Sequence, residues 1–83
     1  MKIPAIKLLA ETATIEELKL AEEALYNEQQ PTITVPGDDE GEQLTHVLAA
    51  LWIREEMEVR GIAFPAALRE YTSRVRNSIS WVF

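Results

Sequence analysis

At 83 residues with no cysteine, the chain has room for one hydrophobic core and excludes disulfides, thiolate metal sites and a thiol nucleophile. Hydrophobic residues make up 47% of it, enough to fold, yet the longest apolar run, Val47–Ile53, falls far short of the ~20 residues that span a bilayer. The formal charge of -6 is uneven: residues 11–42 carry ten acids against Lys19, and the rest carries seven bases against four acids, so phosphate repulsion excludes nucleic acid from the acidic half.

The first helix is expected over Pro4–Ala10. Ile3, Ile6, Leu9 and Ala10 recur at helical spacing, and Pro4 suits a first turn, where its missing N–H goes unneeded. So short a helix is marginal without packing. Thr14-Ile15-Glu16-Glu17 then has the form of a capping box, with Thr14 as N-cap and Glu17 at the third helical position. Ala13 and Leu18 stand where a weak hydrophobic staple would form. The helix this opens should run to about Gln29. Ile15, Leu18, Ala21 and Leu25 form its apolar stripe, widened by Leu20 and Ala24, and glutamates occupy the opposite face.

Pro31 and Pro36 forbid helix through the next stretch. Thr32-Ile33-Thr34-Val35 alternates polar and β-branched residues, which is strand chemistry, but four residues without a second strand are unstable alone. The expectation is an irregular loop; the alternative is a short extended segment at 32–35 pairing between subunits.

Asp38, Asp39, Glu40 and Glu42 crowd the start of the third helix, where the positive end of the helix dipole favours carboxylates. From Leu44 to Ile53 this helix is apolar on almost all sides, which places it in the middle of a bundle or at an oligomer interface. Beyond Ile53, Arg54/Glu58 and Glu56/Arg60 are spaced for surface pairs. Gly61 is placed for a left-handed cap, with Ile62 folding back toward Met57. Pro65 opens a last helix with Leu68, Tyr71, Val75, Ile79 and Val82 in near-heptad spacing. The expected fold is all-α, a small bundle of three to four helices in a single domain over 1–83.

The candidate chemistry is thin. Glu42 and His46 stand one turn apart and could share a divalent metal, particularly across a subunit interface. A bundle-core di-iron site needs Glu-x-x-His on facing helices, and this chain has Glu-x-x-x-His once. The simpler reading puts His46 at the polar rim, with the carboxylates serving the helix N-terminus. No serine precedes Ser73 and none sits in a nucleophile elbow. Gly37 and Gly41 bracket Asp38-Asp39-Glu40, which would repel phosphate. The glutamate pairs of the second helix face water, where no carboxyl is desolvated for acid–base work. The reading is of a non-enzyme without catalytic residues or cofactor.

Assembly has more support. The apolar third helix and the run Trp81-Val82-Phe83 suggest that the chain meets a second copy or another protein partner. The contact would draw on Leu51, Trp52, Tyr71, Val75, Ile79, Trp81 and Phe83. A weaker reading is an adaptor whose Arg69, Arg74 and Arg76 dock an acidic partner. No signal-peptide stretch stands at the N-terminus, so a cytoplasmic homo-oligomer away from nucleic acid and membrane is expected.

Met1-Lys2-Ile3-Pro4-Ala5-Ile6-Lys7, Gly41-Glu42-Gln43-Leu44-Thr45-His46 and Ala67-Leu68-Arg69-Glu70-Tyr71-Thr72 together resemble a family of short uncharacterised bacterial proteins, a domain of unknown function. The resemblance covers essentially the whole chain. It implies a small helical fold and carries over no catalytic residue.

Overall fold

The structure is a computed structural model that describes residues 2–82, with side-chain surroundings through residue 76. Its elements are α1 (Ile3–Thr12), α2 (Ile15–Tyr26), α3 (Glu40–Arg60) and α4 (Phe64–Val82). The fold is all-α: among the described residues there is no strand, and no helix is long and apolar enough to cross a membrane.

α1 runs two residues past the expected Ala10 because its carbonyl end is held from elsewhere. The last carbonyls of a helix lack partners within it. Here the Arg54 guanidinium donates to Ala10 O at 2.7 Å, and the Thr12 hydroxyl donates to Leu8 O at 2.6 Å. α2 starts with the full capping box. The Glu17 N–H donates to Thr14 Oγ1 at 3.1 Å and the Thr14 N–H donates to Glu17 Oε1 at 2.9 Å. Ala13 and Leu18 beside it are both buried.

α2 stops at Tyr26, three residues before the expected end. The Gln29 N–H donates to Ala24 O at 2.8 Å and the Glu28 N–H to Leu25 O at 3.2 Å, the paired bonds of a Schellman close. Glu28 occupies its left-handed position at φ 56°. A side chain is strained there, and an acid at a helix C-terminus also meets the negative end of the dipole.

The segment after α2 is the expected irregular loop, bent at Thr32 and Ile33. Its alternation still has meaning: Ile33 and Val35 turn toward the core while Thr32 and Thr34 face water. Gly37 lets the loop enter α3. At φ 150° it adopts a conformation closed to other residues, and a Cβ would lie 2.9 Å from the backbone nitrogen of Gln43. The Glu42 N–H donates to the N-cap Asp39 carboxylate at 2.8 Å. Gly61, at φ 66°, ends α3 in the left-handed conformation expected of it.

The other three helices all pack chiefly on α3. Ile6, Leu18, Val47 and Ile53 are fully buried between α1, α2 and α3. Ala49 and Ala50, equally buried, keep α3 narrow where its neighbours approach. α4 returns antiparallel along α3. Phe64 and Ala67 are buried at its start, and Arg60 bonds Glu56 on its own helix and Glu70 across the turn. Arg60 holds the Glu70 carboxyl below its ordinary value, chiefly through the hydrogen bond, and Glu70 in turn raises the Arg60 guanidinium. Because the folded-state value of Glu70 is lowered, this link contributes above the ordinary carboxylate range and fades as pH falls through the lowered value. The resulting body is a slab of 33 × 31 × 19 Å.

Replacing Glu28 by glycine removes the strain and the misplaced charge together. Urea unfolding of Glu28→Gly should show a gain of about 1 kcal/mol; an unchanged or lower midpoint contradicts the strained assignment.

Candidate functional site

The sequence singles out Glu42 and His46, and the structure gives each a different task. His46 is fully buried, not at the polar rim where the sequence places it. Two segments distant in the chain close over its ring. Nδ1 lies 2.8 Å from Pro36 O, and the backbone N–H of Lys2 donates to Nε2 at 3.0 Å. A carbonyl can only accept and an N–H can only donate, so the partners assign the ring hydrogen to Nδ1 and leave the lone pair of Nε2 on the Lys2 N–H. One imidazole thereby links the start of α1, the loop before α3 and α3 itself.

Glu42 stays at the helix start. Its Oε1 accepts from the Asp38 N–H at 3.2 Å and lies 3.8 Å from the Lys2 ammonium, which is 3.6 Å from Asp38 Oδ2. The carboxylates therefore satisfy the backbone and one lysine. Glu42 and His46 share the start of α3, but the structure does not bring them together as ligands: the histidine lone pair is already engaged. Among the described residues no group of three His, Cys, Asp or Glu side chains is arranged to hold a metal ion.

Two side chains of α3 hold α1 at its two ends. His46 takes the Lys2 N–H and Arg54 takes Ala10 O. Both partners are separated by eight residues, about 12 Å of helix in each case, so α1 and α3 lie parallel and in register. The spacing in the sequence assigns Arg54 only to the Glu58 pair, which also forms, at 2.6 Å. The bond to Ala10 spans 44 positions, and nothing local announces it.

The residues named for an interface divide three ways. Leu51, at 9% exposure, belongs to the chain's own core, because α3 turns it toward its neighbours. Trp52, Tyr71 and Val75 are half-buried. The Trp52 and Tyr71 rings stand 5.7 Å apart, tilted by 50°, and the Arg74 guanidinium lies 5.2 Å above the indole, a cation–π arrangement. Burial raises the Tyr71 hydroxyl above the ordinary tyrosine value. Ile79, Trp81 and Phe83 lie outside the residues whose side chains are described. Elsewhere, a shallow cleft of about 230 Å³ opens where Leu8, Ala13 and Ile33 meet.

The family of unknown function DUF6952 matches residues 1–80. The chain belongs to this family. No curated protein and no solved structure matches it. The span shared with DUF6952 includes the Lys2–His46–Pro36 link, the Arg54–Ala10 bond and the Trp52–Tyr71–Arg74 cluster.

The His46 link is an energetic claim. His46→Ala leaves the Lys2 N–H and the Pro36 carbonyl without their partner and opens a cavity in the core. Chemical denaturation should show a loss of about 2–4 kcal/mol, with faster amide exchange at Ala5 and Ile6; a loss below about 1 kcal/mol would mean the ring merely fills space.

Proposed function

We propose that this protein is a non-catalytic helical module that acts by binding protein, and that its α3–α4 face joins it to a second copy of itself. The observation that carries this reading is the half-exposed cluster of Trp52, Tyr71 and Arg74, continued one turn along α4 by Val75. Tryptophan, tyrosine and arginine are the residue types that dominate binding energy at protein interfaces. Their rings bury large apolar area when covered, while indole N–H, phenol and guanidinium remain able to bond a partner's edge. An indole already overlaid by a guanidinium presents apolar and cationic surface together, which suits a partner offering both apolar and acidic groups.

Support for a non-catalytic role comes from the placement of the other titratable side chains. The chain's one histidine is held by two backbone groups, and Glu16 and Glu23 stand exposed on α2, facing water. A chain without cysteine also fits the reducing cytoplasm.

Sedimentation equilibrium tests the proposal. The wild-type mass should exceed the 9.4 kDa of one chain at micromolar concentration. Tyr71→Glu with Val75→Glu should return it to one chain with unchanged far-UV circular dichroism. A wild type that remains a single chain at every concentration overturns self-association.

A further inference from the structure

We infer that the surface which meets the α3–α4 face is the outward side of α2 in a second copy, so that copies join head to tail and not across a twofold axis. This rests on the self-association proposed above and names its geometry. On α2, Glu16, Leu20 and Glu23 follow one another at four and three residues, so they share one helix face, and all three are exposed. Leu20 is 60% exposed, and nothing in its own chain explains a leucine in water between two acids. Among the described residues, no ion pair includes Glu16, Glu22 or Glu23.

The α3–α4 face has the complementary chemistry. Arg74 lies over Trp52 beside Tyr71 and Val75, Arg69 is exposed on the same helix, and among the described residues neither arginine closes a direct ion pair, although Arg74 also acts on the Glu70 carboxylate one turn back. A leucine flanked by carboxylates fits an aromatic seam flanked by guanidinium groups in both apolar and electrostatic terms. The two faces have little opportunity to neutralise one another within a chain, because α2 and α4 each pack chiefly on α3.

Symmetry decides between the two ways of pairing copies. A twofold contact brings the same patch of both subunits together, so one centred on the α3–α4 seam would set the arginines of α4 against their own copies. A head-to-tail contact sets them against acids instead. Such a contact either closes into a ring or extends, and, being led by charge at its rim, it weakens as salt rises.

Charge reversal of the full chain tests the pairing. Glu16→Lys with Glu23→Lys makes the α2 face basic, and Arg69→Glu with Arg74→Glu makes the α4 face acidic. Each double variant alone should associate about tenfold or more weakly than wild type in sedimentation velocity. An equimolar mixture of the two should recover assembly, because each then supplies the face that the other lacks. Leu20→Ser, at an exposed position that does not endanger folding, should weaken association without changing helix content. Wild-type oligomers that ignore all three changes, or that tighten with Arg69→Glu and Arg74→Glu alone, overturn the head-to-tail geometry while leaving self-association standing. A wild type that stays a single chain removes both.

Discussion

A helix that is apolar on nearly every side has no stable place except between other helices, and α3 is such a helix. From Val47 to Ile53 it presents Val47, Ala49, Ala50, Leu51 and Ile53 as buried residues, more than one neighbouring helix can cover. The consequence is an arrangement in which α1 and α2 take part of its surface and α4 another. The alanines bring the neighbours close, and the larger residues fill the angles between them. This also explains why so small a chain forms a slab 19 Å thick: one central helix with neighbours beside it is about two helix diameters across.

Covering α3 is not enough to fix the position of a ten-residue helix such as α1, which lacks the length to be stable by itself. Its apolar stripe sets which side faces α3 but not how far it slides along it. The hydrogen bonds set the slide. His46 and Arg54 lie two turns apart on α3 and take the backbone N–H of Lys2, the residue that caps α1, and a late carbonyl of α1. A shift of α1 by even one residue would break both bonds, leaving an imidazole nitrogen in the core without its donor. Burying polar groups is costly unless they are bonded, so the bonded register is strongly preferred over its neighbours. The His46 ring carries a second constraint, since Pro36 must reach its Nδ1; the glycine turn at Gly37 is what allows the loop to do so before α3 begins.

What the sequence made legible follows the range of the interaction responsible. The capping box at Thr14 and Glu17, the left-handed cap at Gly61, and the pairs Arg54–Glu58 and Arg60–Glu56 are set by neighbours within four residues, and each forms as expected. The apolar girdle of α3 was legible for the same reason, as a local pattern, and it gave the bundle. The end of α2 was not, because its Schellman close uses Glu28 where glycine or asparagine would have announced it. The burial of His46 was hidden more deeply. Beside Asp38, Asp39 and Glu42 it looks like part of a polar rim, and only Lys2 and Pro36, brought from elsewhere in the chain, make it core. Likewise the alternation in Thr32–Val35 reads as strand chemistry, yet a loop that anchors every second side chain in a core produces the same pattern.

The division of charge follows from the same constraint as the fold. An apolar central helix has little room for charge along its buried length, so the carboxylates of α2 and the arginines of α4 lie on helices set against different parts of its surface. Opposite charges that would neutralise one another in a rounder bundle are kept apart here by the helix that both of them pack on. Within one copy their attraction acts across the body and is weakened by the solvent around it. Between copies it can act at contact distance, where the exposed Leu20 and the half-exposed Trp52–Tyr71 seam supply apolar area as well. Under the proposed assembly, the feature that forces the chain to fold around α3 is also the one that leaves two complementary faces pointing outward, and neither face would be available if α2 and α4 packed together.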